Sequence, residues 1–224
     1  MRRAREAMAA LGCTHEILIV DDGSTDGTGA LADRLARECP QVRVVHHAAN
    51  LGFTGAILSS YRNGAGEWLF LCPADGQVDV ADVRLFLERR AGVDVVIGHR
   101  LAKPEPWHRR MNSKAFHLMT SALFGFRFRE ISTCKLYKVD WLRRLRIISK
   151  PGTATIEPEV IFRLKRLGAR FAEVGYPWHA RQGGTPKGAR LGMIVRTFFE
   201  LFRLRWKLAG SESRISNLES RNSL

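Results

Sequence analysis

The stretch EILIVDDGSTDGT, residues 16–28, decides the fold class of this chain. Glu16–Val20 is an apolar, β-branched run of the kind that forms a parallel strand buried on both faces. It runs directly into the carboxylates of Asp21 and Asp22, and the pattern that follows predicts a helix from about Asp26 to Cys39. A strand, an acidic turn and a helix in this order are the repeating unit of an α/β protein.

The same alternation continues along the chain. Further strands are predicted at Val42–His46, Trp68–Cys72, Asp94–Gly98, Lys135–Val139 and Phe171–Val174. Further helices are predicted at residues 2–11, 54–64, 82–90, 107–124, 157–168 and 190–208. The regular β-α order of the first half predicts an α/β fold built on a doubly wound, mostly parallel sheet.

Charge is distributed unevenly over the 224 residues, whose formal net charge is +14. Residues 1–99 carry 10 basic and 13 acidic side chains, whereas residues 100–224 carry 26 and 9. The basic half predicts an anionic partner, such as a membrane surface or a phosphorylated substrate, against the alternative of a solvated basic surface. No nucleic-acid motif is recognisable, and nucleic acid is therefore not expected as a partner.

Cysteine usage and hydropathy indicate the redox compartment and whether membrane-spanning or secretory segments are expected. The four cysteines are scattered without paired spacing, which favours a reduced, cytosolic-facing chain and argues against a zinc site. No apolar run of 18 uncharged residues is present, and the basic start has no long apolar segment after it, so neither a transmembrane helix nor a signal peptide is expected.

Acidic residues follow two of the predicted strands. Asp21, Asp22 and Gly23 end the first strand, and Asp75 with Gln77 lies in the turn PADGQ after the third. Ligands of open α/β sheets bind at the carboxyl ends of the strands, where carboxylate and amide oxygens could hold a ribose or a divalent cation. The alternative is that these residues only form turns, for which Asp and Gly are generally favoured.

Three motifs in order, EILIVDDGSTDGT, NLGFTGA and PADGQVD, resemble the family-2 inverting glycosyltransferases of GT-A fold. The branch that transfers sugars to dolichyl or polyprenyl phosphate is the most similar, over residues 3–208. The resemblance implies a nucleotide-sugar donor and a Mg²⁺ or Mn²⁺ cofactor. It places the nucleotide at Asp21, Asp22, Gly23, Asn50 and Gly52, and the metal with the diphosphate at Asp75 and Gln77. Asp26 is expected instead to serve the start of the helix, which Ser24 or Thr25 can cap.

Two departures from the family pattern carry expectations of their own. Pro73 stands where the family's DxD motif has its first aspartate, which predicts weaker or altered metal binding. The family also begins with a strand that ends in a Pro-x-Tyr-Asn-Glu-type turn, and residues 1–11 correspond to the helix after that strand. The resemblance therefore predicts that this first strand is absent from the chain, which would expose apolar strand edges.

Basic residues of the second half match places where the family meets its acceptor. Arg100 resembles the family's GSR position, and Arg109 and Arg110 occupy the next helix beside the expected lipid phosphate, with Asp75 completing the catalytic set. Ser132, Thr133 and Lys135 in ISTCKLYK resemble its acceptor loop. Arg181, Lys187 and Arg190 would close over the diphosphate, with hinges at Gly183 and Gly184.

The chain divides by prediction into a glycosyltransferase domain at 1–186, an amphipathic helix at 187–210 and a disordered tail at 211–224. Residues 187–210 carry six basic side chains and one acid beside a broad apolar face. This composition fits a helix lying in an anionic membrane interface. The alternatives are a helix packed on the protein's own core and a helix that joins two copies into a homo-oligomer.

The function expected from these features is inverting transfer of a sugar from a nucleotide-sugar to a polyprenyl phosphate, at the cytoplasmic face of a membrane. An acceptor phosphate is already ionised and requires no strong general base. A second hypothesis is transfer to a sugar hydroxyl, which requires a carboxylate base, with Glu130 and Glu157 as candidates. A third is a non-catalytic, membrane-associated binding protein derived from such a transferase.

Overall fold

The computed structural model describes residues 2–101, 107–151, 153, 155–179 and 196–209. Its helices are α1 (Arg2–Ala10), α2 (Thr28–Glu38), α3 (Gly52–Asn63), α4 (Val83–Glu88), α5 (Trp107–Phe124), α6 (Val139–Arg143), α7 (Ile156–Arg166) and α8 (196–209). Its strands are β1 (Ile17–Asp21), β2 (Val42–His46), β3 (Trp68–Phe70), β4 (Val95–Arg100), β5 (Lys135–Lys138) and β6 (Phe171–Tyr176). None of the described helices is both long enough and apolar enough to cross a bilayer.

The strands form two sheets of different character. β1 pairs with β2 in parallel, and the second sheet has the order β3-β5-β4-β6. In that sheet β5 runs antiparallel to both β3 and β4, whereas β4 and β6 are parallel. The expected α/β fold is confirmed, with a mixed second sheet where the sequence predicted mostly parallel pairing.

The antiparallel β5 leaves three strands of the second sheet running in the same direction. Because β5 opposes both of its neighbours, β3, β4 and β6 all run in the same direction and end at the same edge of the second sheet. That edge therefore collects the residues that follow three separate strands. It is the edge at which α/β proteins bind their ligands.

Strands β1 and β3 are less buried than the centre of the second sheet. Val95, Val96 and Ile97 of β4 are fully buried, whereas Ile17–Val20 and all of β3 are only half-buried. Within the described chain, β1 and β3 each pair on one side only. The absence of the family's first strand stays a prediction.

The start of α2 corrects one expectation. The helix begins at Thr28 rather than near residue 26, and neither Ser24 nor Thr25 caps it. Instead the Asp26 carboxylate accepts a hydrogen bond from the Thr28 backbone N–H at 3.1 Å, and this bond holds the pKa of Asp26 below its ordinary value. Asp26 thus serves the positive end of the helix, as the sequence predicted.

Helix α8 packs on the protein itself. Leu201, Leu204 and Leu208 are buried in the same hydrophobic core as the α7 side chains Ile156 and Ile161. The Arg205 Nε donates a hydrogen bond to the Leu123 carbonyl of α5 at 2.9 Å. The alternative of a helix on the protein's own core is therefore correct for this inner face. The predicted boundary at residue 187 and the predicted tail lie outside the described residues.

Candidate functional site

At the end of the first sheet, Asp21 and His46 stand opposite each other in the register of β1 and β2. The Asp21 carboxylate accepts hydrogen bonds from the Ser24 backbone N–H at 3.1 Å and from His46 Nδ1 at 2.9 Å. The other ring nitrogen of His46 lies 2.9 Å from an Asp33 carboxylate oxygen. Carboxylates only accept, so a ring that bonds to both must carry two protons and a positive charge.

The hydrogen bonds that join Asp21, His46 and Asp33 shift the pKa values of His46 and Asp21 in opposite directions. The carboxylates of Asp33 and then Asp21 raise the pKa of His46 above its ordinary value of 6.5. Hydrogen bonds from Ser24 and His46 in turn hold the pKa of Asp21 below its ordinary value. Asp21 is itself buried, with 7% of its surface exposed. In this arrangement the exposed group at the predicted nucleoside position is therefore the His46 ring rather than the Asp21 carboxylate.

The His46 bridge predicts a pH-dependent contribution to stability. A group whose folded pKa is raised stabilises fully below its unfolded value, near 6.5, and this contribution is lost as pH rises through the folded pKa. We expect His46→Gln to remove that component, while His15→Gln retains it. Melting temperatures across pH 5–9 measure the effect, and an NMR titration locates the pKa. Parallel melting curves for wild type and His46→Gln would contradict the bridge.

The neighbouring pair, Asp22 and His47, organises the second motif. Asp22 accepts hydrogen bonds from the backbone N–H groups of Leu51 and Gly52, both at 2.8 Å, and from His47 Nδ1 at 2.7 Å. The other His47 nitrogen lies 2.7 Å from the Ser59 hydroxyl. With three protein donors on its carboxylate, Asp22 holds the start of α3 in place. The expectation that Asp22 is a direct ligand of the nucleoside stays a prediction.

Gly23 lets the two loops touch. Its φ of +70° is in the left-handed region, and a Cβ there would stand 2.8 Å from the Ala49 carbonyl carbon. The Asn50 side chain donates to the Asp22 carbonyl at 3.1 Å, and Gly52 has a φ of +72°. The predicted nucleotide residues are thus brought together around one turn, and their contact with a nucleotide stays a prediction.

The second sheet's edge carries the PADGQ turn. The Asp75 carboxylate accepts the Gln77 backbone N–H at 3.1 Å, and Gly76 between them has a φ of +75°. The segment after β6 lies alongside, since the His179 backbone N–H donates to the Gln77 carbonyl at 3.0 Å. Sequence reasoning missed His179, whose only signal was its place three residues after the strand.

The donors at this turn fit a divalent cation in a limited way. They are the Asp75 carboxylate and the Gln77 amide oxygen, both half-buried. Across the described ranges, no group of three or more His, Cys, Asp or Glu side chains is arranged to hold a metal ion. Mg²⁺ is commonly bound through one or two carboxylates together with substrate phosphates. A cation held jointly with a diphosphate is therefore compatible with this donor set.

Arg100 contacts three partners within the protein. Its guanidinium bonds to Glu130, with Nη2 2.8 Å from Oε1, and lies 5.0 Å over the Trp178 ring. Ser113 of α5 accepts a further hydrogen bond at 3.3 Å, and 8% of the arginine side chain is exposed. The expectation that Arg100 receives the acceptor phosphate stays a prediction, and in this structure its guanidinium is paired with Glu130. The residue joins β4, α5 and the segment after β6.

Lys135 lies in the interior, where contact with the acceptor is not expected. Its side chain is fully buried, with Nζ 2.7 Å from a Glu157 carboxylate oxygen and 2.8 Å from the Thr133 carbonyl. An ammonium group without solvent access cannot meet a lipid phosphate in this arrangement. The sequence predicted a strand from Lys135 and the resemblance an acceptor loop at the same residues, and the structure places Lys135 at the start of β5, between β3 and β4.

The remaining predicted acceptor residues divide into two groups. Ser132 and Arg110 are exposed, whereas the Thr133 hydroxyl donates a hydrogen bond to the Gly98 carbonyl. The second group lies outside the described residues: the side chain of Arg109 and all of Arg181, Gly183, Gly184, Lys187 and Arg190.

A cavity of about 440 Å³ is lined by α1 and the starts of β1 and β2, and no predicted site residue borders it.

The fold and the acidic strand ends define a glycosyltransferase of GT-A fold. Glucosyl-3-phosphoglycerate synthase from Mycobacterium tuberculosis, crystallised with Mn²⁺, UDP and phosphoglyceric acid, superposes with a TM-score of 0.66. It is 18% identical, and the match covers 91% of this chain and 72% of that one. Residues 2–146 match the model of glycosyl transferase family 2, and the chain belongs to that family.

Two curated relatives are more similar in sequence. An undecaprenyl-phosphate mannosyltransferase of Micrococcus luteus is 32% identical over 183 residues, which cover 77% of this chain and 75% of the relative. A polyprenol monophosphomannose synthase of Mycolicibacterium smegmatis is 35% identical over 140 residues, which cover 58% and 53%. The predicted branch of the family is thereby confirmed.

Proposed function

We propose that this chain transfers a sugar, with inversion, from a nucleotide-sugar to a polyprenyl phosphate at the cytoplasmic face of a membrane. Relatives named for undecaprenyl-phosphate and polyprenol-phosphate mannosyl transfer support the class of acceptor. The Mn²⁺ and UDP in a structure of the same fold support the class of donor.

The ion pairs that Glu130 and Glu157 form favour an acceptor that needs no protein base. These two acids were the candidate bases for transfer to a sugar hydroxyl, and each is ion-paired, Glu130 to Arg100 and Glu157 to Lys135. Each carboxylate is held in its ion pair, because moving it towards an acceptor hydroxyl would leave a buried cation uncompensated, and neither is therefore placed to act as the base. An acceptor that is already an anion avoids this requirement.

The chemistry assigned to the chain is positioning and charge compensation. Asp75 and Gln77 would hold Mg²⁺ or Mn²⁺ against the donor diphosphate, and the ion would supply charge stabilisation of the leaving group. Asp21, held in place by His46, would orient the nucleoside. Arg109 and Arg110 of α5 would attract the acceptor phosphate, since arginine presents a fork of donors to phosphate oxygens.

The test is a transfer assay with the purified full chain. The protein is incubated with Mn²⁺, undecaprenyl phosphate in detergent and a panel of radiolabelled UDP- and GDP-sugars. We expect one donor to give an organic-extractable, acid-labile product whose anomeric configuration, read by NMR, is opposite to that of the donor. No lipid-linked product from any donor would contradict the proposal and favour a non-catalytic binding role. Retained configuration would contradict inversion alone.

A further inference from the structure

Helix α8 has two faces of opposite exposure. Its inner face buries Thr197, Leu201, Leu204 and Leu208 in the core. Its outer face exposes Phe198 by 44%, Phe199 by 66%, Phe202 by 46% and Trp206 by 84%. Four large aromatic side chains that point away from the core on one short helix form an apolar patch, which in a folded protein marks an interaction site.

Helix α5 exposes a second apolar stripe. Trp107, Met111 and Leu118 are 74%, 60% and 72% exposed, and their spacing of four and seven residues places them on one face. The opposite face packs inward through Thr120 and Phe124. The stripe is therefore an outer face of a helix that is otherwise part of the fold.

The two helices are fixed to each other and to the core. The Arg205 guanidinium of α8 bonds to the Leu123 carbonyl of α5 and lies 5.4 Å over the Phe162 ring of α7. Phe162 also packs edge-on against Phe124 of α5. The outer face of α8 is thus held in a defined position beside the end of α5.

The charge on these faces indicates the partner. The 18 residues of α5 include no acid, and Arg110 and Lys114 are exposed on it. On α8 the exposed basic residues are Arg196, Arg203 and Lys207, against one acid, Glu200, which lies 3.7 Å from Arg203. Aromatic rings flanked by basic side chains suit the headgroup region of an anionic bilayer. A second copy of this chain would instead bring like charges together.

We propose that the outer faces of α5 and α8 form one docking surface for an anionic lipid bilayer. The proposal deepens the proposed function, because a polyprenyl phosphate resides in a bilayer and α5 also carries Arg109 and Arg110. The docking itself requires neither donor nor acceptor. Apolar insertion and attraction of basic residues to anionic headgroups act together in such binding, and the attraction is screened by salt.

The experiment measures binding of the full chain to vesicles that contain neither polyprenyl phosphate nor nucleotide-sugar. Co-sedimentation compares phosphatidylcholine vesicles with vesicles of equal parts phosphatidylglycerol and phosphatidylcholine. We expect binding to the anionic vesicles at least tenfold tighter than to the neutral ones, and weaker in high salt. Because transfer is not assayed, failure of the proposed function leaves this result unaffected, and the reverse also holds.

Two variants test the two faces separately, with a third as control. Met111→Ser with Leu118→Ser on α5, and Phe199→Ser with Trp206→Ser on α8, should each weaken anionic-vesicle binding at least tenfold. Leu31→Ser, on the α2 surface and 47% exposed, should bind as wild type. Circular dichroism checks that each variant is folded.

Three outcomes would overturn the two-helix surface. They are wild-type binding by both double variants, loss of binding in the α8 variant alone, and no preference of wild type for anionic vesicles. Sedimentation velocity tests the competing explanation, in which the surface joins two copies of the chain. If the double variants convert a dimer to a monomer and leave vesicle binding intact, the face joins two copies of the chain instead.

Discussion

Asp75→Asn is expected to lower the rate of sugar transfer by on the order of 100-fold or more, which corresponds to about 3 kcal/mol of transition-state stabilisation. Asp75 is the single carboxylate between Pro73 and Gln77, so its charge has no substitute in that turn. The asparagine retains an oxygen for the Gln77 backbone N–H, which Asp75 accepts at 3.1 Å. The turn should therefore persist while the anionic ligand is lost.

The measurement is kcat/KM for the donor at several Mn²⁺ concentrations. We expect the concentration of Mn²⁺ that gives half-maximal activity to rise in Asp75→Asn, because the ion loses its protein carboxylate. Asp140→Asn is the matched control, since it makes the same chemical change on α6, where 81% of the side chain is exposed. Full activity of Asp75→Asn at low Mn²⁺ would rule out the ionic role assigned to Asp75.

Glu157→Gln is expected to lower the free energy of unfolding by about 3–5 kcal/mol, because it leaves the fully buried Lys135 ammonium without its counter-charge. Removing one partner of a buried ion pair costs more than removing both. Lys135→Met combined with Glu157→Gln should therefore recover much of the stability that Glu157→Gln loses. The measurement is urea unfolding of the two single variants, the double variant and wild type.

The exposed pair of Arg143 and Asp140 supplies the comparison. Its atoms are 3.3 Å apart, but the side chains are 56% and 81% exposed, so Asp140→Asn should change stability by less than about 1 kcal/mol. If Lys135→Met instead left stability unchanged and raised KM for the lipid acceptor, the ammonium would be a phosphate ligand. That result would contradict the structural role that burial assigns to it.

Much of the fold could be predicted from local sequence. The spacing of apolar residues placed β2 at Val42–His46 and α5 at Trp107–Phe124 without error, and most other described elements within a few residues, but it did not predict α6 (Val139–Arg143). Helix starts were less accurate. Asp26, rather than Ser24 or Thr25, satisfies the first turn of α2, because Gly27 with a φ of +82° begins the helix two residues later than the pattern suggested.

The sequence also predicts the acidic edge, but not the part that its histidines play. The first strand ends in IVDD and the second in VVHH, and the parallel register places Asp21 opposite His46. Asp22 and His47 follow in the same order and bond at 2.7 Å. Two adjacent parallel strands, one ending in acids and the other in histidines, are the sequence signal for this pairing.

By itself, the sequence determined the α/β class, the acidic turns at the strand ends and membership of glycosyl transferase family 2, because each depends on short-range periodicity or on motifs a few residues long. Only the tertiary structure decided which charged side chains are paired within the protein and which face solvent. Arg100 meets Glu130 across 30 residues, and Lys135 meets Glu157 across 22. Pairing at such separations depends on strand order and burial, since a low-dielectric interior requires each charge to find a partner there.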